Sequence, residues 1–299
     1  FFFGLDVQLY QATLVSDDTR YDRFREGSLS LNPEEQRGLE IFMNEGRCIQ
    51  CHGGSLFTNG AIDVVQGIDG VEEEGMIEAM PVATGAMTLY DTGFYNIAVR
   101  PTSEDLGRGG TAPFVNPLTG ELYPLSFTRL AWLKDVGLLP EWYRDLVPLP
   151  AAGIYQDAVD GAMKTPGLRN VELTGPYVRG GDSSTLMQVI DLYTRGGNFP
   201  RINQDNLSPL MGELVTLQGN EADQKALVAF LLTLTDDRVK YEQAPFDHPQ
   251  LFVVNGHNDL TLEDELVEIP AVDAEGRRDP LRPFLAPDGV DAYTFHTTP

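Results

Sequence analysis

Cys48-Ile49-Gln50-Cys51-His52 decides how this chain is read. The stretch holds the only two cysteines in 299 residues, and a histidine follows the second directly. Cys-x-x-Cys-His is the attachment pattern of a c-type haem. Each thiol adds across one vinyl group of the porphyrin, and this spacing in a helical turn brings both sulfurs to one haem edge. The next side chain then falls beneath the ring, where the neutral imidazole of His52 offers Nε2 to iron. A redox dithiol and half of a zinc site are the competing readings. The first wants a βαβ context, and the second wants another Cys or His pair; the sequence supplies neither.

Upstream of the motif, Asn32-Pro33-Glu34-Glu35 reads as a helix start. Asn32 caps, Pro33 suits the first helical position, and Glu35 reaches back to complete a capping box. Leu39 and Phe42 supply its buried positions, Gly38 lets another helix approach, and the helix ends near Asn44-Glu45-Gly46. Further upstream, Leu5, Gln8, Leu9, Ala12 and Leu14 share a helical face. Phe1 to Phe3 are apolar enough to expect a packing partner, and Ser16 to Phe24 reads as a turn entering a short helix.

Downstream, Gly53 to about Gly110 is Gly-rich and loop-like, with the acidic run Glu72-Glu73-Glu74 read as solvated surface. Leu130 to Val147 holds one or two short helices, with Trp132 and Trp142 expected in the core. Leu186, Val189, Ile190 and Tyr193 then recur at i, i+3, i+4 and i+7, a single apolar stripe. Ser184 can cap its start and Gly196-Gly197 its end. Tyr193 therefore points inward, and its phenol oxygen needs either a core hydrogen-bond partner or an iron. Met187 lies off the stripe, and Met76, Met80 and Met87 fall in loops; all four are rival ligands that read as ordinary packing. Asn220 to Thr235 is a last helix, buried through Ala226, Leu227, Phe230, Leu231 and Leu234. Beyond Asp237 the prolines 245, 249, 270, 280, 283 and 287 forbid long helices, and an extended tail clinging to the domain surface is expected.

Against 21 basic residues stand 45 acidic ones, a formal charge of −24. That balance argues against nucleic acid and anionic membrane surfaces as partners and suits either a basic partner protein or plain solubility. No apolar run is long enough for a membrane span. The sequence starts at Phe1 with no basic leader region, which reads as a removed leader or further chain upstream. Thioether haem attachment occurs outside the bacterial cytoplasm, so a periplasmic or extracellular location is expected.

The haem motif, Phe57-Thr58-Asn59, Thr92-Gly93-Phe94-Tyr95-Asn96-Ile97 and Lys164-Thr165-Pro166-Gly167-Leu168-Arg169-Asn170-Val171 together resemble the C-terminal domain of bacterial di-haem cytochrome c peroxidases and their MauG-like branch. Leu173-Thr174-Gly175-Pro176-Tyr177 and Tyr193-Thr194-Arg195-Gly196-Gly197 resemble it too. The likeness covers roughly residues 10–240. It implies that Tyr193 occupies the sixth-ligand position, where ordinary peroxidases carry methionine and the MauG-like branch carries tyrosine. It also implies calcium on backbone oxygens of Thr174 and Pro176, and a place for Arg169 near a haem propionate, although an ordinary ion pair serves Arg169 equally well.

Three departures qualify the likeness. Only one Cys-x-x-Cys-His is present, so the family's peroxide-binding haem and its catalytic acid would lie on another domain. Arg179 stands where the family carries a histidine after Pro-Tyr. The stretch from about 60 to 162 is longer than in the short peroxidases. The resulting expectation is a mainly α cytochrome c-type haem domain with long loop insertions and an extended C-terminal tail. Residues 1–30 form an interdomain linker-like segment, 31–240 the haem domain with its insertion at about 60–162, and 241–299 a Pro-rich acidic tail. The expected function is the haem c domain of a peroxidase or MauG-like enzyme that relays or stores oxidising equivalents. A single-haem electron carrier and a haem-bearing structural subunit are the alternatives. Its partners would be an N-terminal haem domain or second haem protein, and an electron-donor protein.

Overall fold

A computed structural model of the chain describes residues 2–67, 75–151, 153–282 and 291–294. Its centre is the crossing of two helices. Helix α1 (Phe2–Gln11) stands apart with every residue exposed. Phe2 and Phe3 are 76% and 82% exposed, and Phe1 lies outside the described residues. Helix α2 (Arg20–Arg25) is capped reciprocally by Thr19 and Asp22. In α3 (Pro33–Met43), the Asn32 side chain accepts from the Glu34 and Glu35 amides, and Glu35 accepts from the Asn32 amide, which is the expected capping box.

The core forms where α3 meets the helix near the end of the chain. Ile41 and Phe42 pack against Leu227, Phe230 and Leu231, with the Phe42 and Phe230 rings 5.1 Å apart. Tyr21 reaches in from α2 to both Phe57 (5.4 Å) and Phe230 (5.6 Å). Helix α2 is thereby fastened to the loop that follows Cys48–His52 and to the core by edge-on aromatic contacts.

Helix α4 (Ile62–Gln66) opens the insertion, which is where the mainly α expectation fails. Among the described residues about 31% is helix and 17% strand, the strands forming four small antiparallel pairs. Strands β1 (Ile77–Pro81) and β2 (Met87–Asp91) make a hairpin in which Thr88 to Asp91 are all buried. Continuous burial leaves no alternation to read in the sequence, which is why this stretch passes for loop. The short strand β3 (Phe94–Tyr95) follows, then the pair β4 (Thr111–Val115) and β5 (Leu122–Pro124). Helices α5 (Phe127–Asp135) and α6 (Glu141–Arg144) come next, where two short helices are expected. Trp132 is half-buried, but Trp142 is 72% exposed and stacks on Tyr143 instead of entering the core. Strand β6 (Met163–Lys164) then pairs with β3, tying the segment after the insertion back to its interior. The Glu72-Glu73-Glu74 run lies outside the described residues.

Helix α7 (Leu186–Thr194) begins at Thr185, one residue after the expected cap, because Gln188 then stands where it completes a capping box. Short helices α8 (Pro200–Asn203) and α9 (Leu210–Glu213) lead to α10 (Glu221–Leu232), capped by Asn220 as expected, and α11 (Asp237–Lys240) follows. The tail is not simply extended. Strands β7 (Leu251–His257) and β8 (Asp264–Ile269) form an exposed hairpin. The tail does return to the body at residues 291–294: the Ala292 carbonyl accepts from the Met187 amide and the Thr294 carbonyl from the Thr185 hydroxyl. Pro283 and Pro287 lie outside the described residues. Among the described residues, no helix is long and apolar enough to cross a membrane.

Candidate haem site

The helix crossing leaves a cavity of about 570 Å³ beside it, within the 300–1,000 Å³ typical of small-molecule and cofactor sites. Its walls are largely apolar, supplied by α7 and α10 through residues such as Leu186, Ile190, Leu227 and Leu231. Cys48, Cys51, His52 and Tyr193 all line it. The motif begins with a single 3₁₀ turn, Cys48–Gln50, in which the Cys51 and His52 amides both donate to the Cys48 carbonyl. The expected helical turn is thus present in its tighter form, and no disulfide joins the sulfurs.

His52 is 8% exposed, and its Nδ1 sits 3.0 Å from the Phe57 carbonyl and 3.2 Å from the Pro166 carbonyl. Carbonyl oxygens only accept, so Nδ1 carries the hydrogen and Nε2 keeps its lone pair. Burial pushes the imidazole down to about 4, against the opposing pull of those two carbonyls, so the ring is neutral at any ordinary pH. A histidine held through one nitrogen by backbone carbonyls, with the other nitrogen free to bind, is the usual preparation of a metal ligand.

The loop after the motif supplies that hold. Asn59 accepts from the Gly53 amide at 3.0 Å and donates to the Gln50 carbonyl at 2.6 Å, and Thr58 donates to the Thr165 carbonyl at 2.6 Å. Phe57 adopts φ 55°, which turns its carbonyl toward His52. Phe57-Thr58-Asn59 and Thr165-Pro166 are therefore the frame of His52, a role that only the fold reveals.

Tyr193 enters from α7. Its ring packs beside Ala98, Leu207, Met211 and Leu214, and its exposed surface faces the cavity. Burial first, then the two cysteine sulfurs, push the phenol well above its ordinary range. No group among the described residues hydrogen-bonds its oxygen. A buried phenol without a protein partner and a buried imidazole with one idle nitrogen thus line one apolar cavity next to two thiols. That donor set fits a covalently tethered haem, with His52 and Tyr193 as the residues that would hold its iron. Such a cation would reverse the effect of burial on the phenol by stabilising its phenolate.

None of the four rival methionines, Met76, Met80, Met87 and Met187, lines the cavity. Met187 is 1% exposed in the main core, Met80 packs under the β1–β2 hairpin, and Met87 is exposed. Two methionines that sequence reasoning passed over, Met163 and Met211, do line it. Neither sits on a periodic stripe, so nothing local distinguishes them from filler.

Arg169 is committed elsewhere. It makes a two-pronged ion pair with Asp22 (2.8 and 2.9 Å), donates to the Ser16 and Ser55 carbonyls, and is not among the lining residues. Thr174 and Pro176 sit in the cavity wall. Among the described residues no group of three or more His, Cys, Asp or Glu is placed to hold a metal ion.

The Asp22 pair carries a testable consequence. Burial raises the Asp22 pKa, but hydrogen bonds from Arg169 and Thr19 outweigh it and hold the carboxyl below its usual 3.8. Asp18 is lowered likewise, first by its hydrogen bond from Arg23. A depressed folded pKa gives stability that is complete above about 4 and is lost as pH falls through the folded value. Arg169→Gln should therefore cost about 2 kcal/mol at pH 7, or roughly 4–8 °C in Tm. Melts repeated near pH 3 should show a smaller gap between variant and parent; a gap independent of pH would contradict the pairing.

Comparison with known proteins places these residues in context. No family model matches the chain. A cytochrome-c peroxidase, IdrP1, of Denitromonas iodatirespirans is 28% identical over 236 residues, covering 77% of this chain and 48% of its own. The methylamine utilization protein MauG of Methylorubrum extorquens is 26% identical, covering 81% and 45%. A crystal structure of a MauG-like protein associated with microbial copper homeostasis aligns at 24% identity and a TM-score of 0.42, covering 77% of this chain and 51% of that one. The resemblance carried by the motifs holds: curated proteins similar to this chain are cytochrome c peroxidases and MauG. The chain spans about half the length of the curated relatives it matches.

Proposed function

We propose that this chain is the haem c domain of an exported peroxidase-like or MauG-like oxidoreductase, relaying or storing oxidising equivalents for a second haem-bearing domain or protein. The carrying observation is the neutral His52, fixed through Nδ1 by two backbone carbonyls in a cavity shared with Cys48, Cys51 and Tyr193. A haem bound there supplies reversible one-electron chemistry. Cys48 and Cys51 would tether its edge, His52 would hold iron through Nε2, and Tyr193 would hold it as phenolate. An anionic oxygen ligand would favour the oxidised metal and so lower its potential. The apolar walls on α7 and α10 exclude water from the ring. The charge of −24 suits docking of a basic electron donor.

Tyr193→Phe tests the ligand assignment. The ferric protein should lose its tyrosinate-to-iron charge-transfer band. The midpoint potential should rise by about 60 mV or more, the equivalent of a tenfold loss of preference for ferric iron. An unchanged spectrum and potential would remove Tyr193 from the iron. Peroxide oxidation of the reduced protein, rapid only when a second haem-bearing partner is present, separates the relay from a plain electron carrier.

A further inference from the structure

A second buried phenol lies against the same cavity. Tyr95 is 5% exposed, lines the cavity, and shares a small apolar cluster with Tyr90, Val82 and Ala158, against which Cys51 packs. Its Oη donates to Glu78 Oε1 at 2.6 Å and accepts from the Gly93 amide at 3.3 Å. Among the described residues it is the one tyrosine whose hydroxyl donates to a carboxylate. Tyr177 donates to backbone carbonyls, which cannot take a proton, and Tyr90 donates to the Pro81 carbonyl at 3.4 Å.

A phenol is hard to oxidise while its proton has nowhere to go, because the radical cation left behind is a very strong acid. A carboxylate at 2.6 Å removes that obstacle. The apolar surroundings keep water from a radical and hold the ring rigid, and the Tyr90 ring stands 6.0 Å from that of Tyr95. Glu78 belongs to β1 and Tyr95 to β3, two segments held in place by β2, so the contact is built by the insertion. None of this is needed to attach a haem.

We infer that Tyr95 and Glu78 form a proton-coupled redox site, which stores one oxidising equivalent as a neutral Tyr95 radical beside the haem. In the step, the Tyr95 O–H bond breaks and the proton forms an O–H bond on Glu78. The electron passes to a haem that peroxide has oxidised. Re-reduction by one electron returns the proton to Tyr95. The source of the oxidant rests on the function proposed above; the Tyr95–Glu78 chemistry does not.

The two are separated by supplying the oxidant from outside. The haem-bearing protein, as isolated, is flashed with a ruthenium tris-bipyridyl photo-oxidant and persulfate, frozen, and examined by electron paramagnetic resonance. The parent should show a tyrosyl radical that persists after radicals on exposed tyrosines have coupled. Tyr95→Phe should lose that persistent signal. Glu78→Gln, which keeps a hydrogen-bond acceptor but no proton acceptor, should lower its yield by about tenfold with the haem spectrum unchanged. If melting shows Tyr95→Phe to be misfolded, Glu78→Gln decides alone. A parent without the persistent signal, or variants that match the parent, would overturn the site. A parallel sample given hydrogen peroxide together with the second haem-bearing partner, instead of light, reports on the haem as oxidant. A radical in the light sample and none with peroxide would count against the proposed peroxide-linked function and leave Tyr95–Glu78 standing.

Discussion

Replacing Cys48 and Cys51 together by alanine is expected to give a chain with no covalently bound haem and a much lower melting temperature. Intact mass under denaturing conditions should drop by one haem beyond the two lost sulfurs, and peroxidase-type staining on a denaturing gel should vanish. Either single replacement should keep the haem through the remaining thioether, so the double variant isolates attachment from local damage at one position. The stability effect follows from the size of the cavity. About 570 Å³ of largely apolar wall sits between α7, α10 and the motif. At roughly 24 cal/mol per Å³ an unfilled space of that size would cost about 14 kcal/mol if nothing relaxed, against a total stability of about 5–15 kcal/mol. Collapse of the walls and entry of water offset most of this. Even a third of it, about 5 kcal/mol, lowers Tm by roughly 10–20 °C. Native material that is colourless, with both thiols open to alkylation, would sink the assignment at its root.

How much of this site was open to reading depends on the range of the interactions involved. Cys48, Cys51 and His52 follow from spacing alone, and the Asn32–Glu35 and Asn220 caps are contacts within one turn. Tyr193 was legible because α7 carries its stripe at regular intervals, and that stripe lines the cavity. The frame around His52 was not. Its second carbonyl comes from Pro166, 114 positions away, and nothing near His52 announces that. Tyr95 reaches Glu78 across a sheet whose buried strand shows no alternation. Arg169 shows the same limit: a charge near a cofactor motif serves a propionate or an ion pair equally well until Asp22 is found beside it. The mainly α reading failed for a related reason. The helices carry internal signals, whereas the strand pairs depend on partners, and the β7–β8 hairpin places apolar residues on exposed faces.

Gly38→Ala should be strongly destabilising, although alanine is the better helix former by about 1 kcal/mol. A Cβ on residue 38 would lie 1.9 Å from the Ala226 carbonyl oxygen, 2.6 Å from its carbon and 2.7 Å from Phe230 Cβ. All three atoms are backbone or fixed to it, so no side-chain rotation relieves the overlap, and α3 must move away from α10. That movement withdraws Ile41 and Phe42 from Leu227, Phe230 and Leu231. It also stretches the two-pronged Arg37–Asp223 ion pair, which spans the same interface at 2.9 Å on both prongs. Overpacking costs about 1–3 kcal/mol, and partial loss of a core aromatic contact adds to it, so a net loss of about 3 kcal/mol, or roughly 6–12 °C in Tm, is expected. Gly212→Ala is the control: the same propensity gain applies in α9, where a Cβ meets nothing within 4 Å. It should leave Tm unchanged or slightly raised. If Gly38→Ala behaved like Gly212→Ala, the helices could not cross as closely as described. The cavity between α10 and α7 would then have to be drawn differently, because its α10 wall is set by the depth of that crossing.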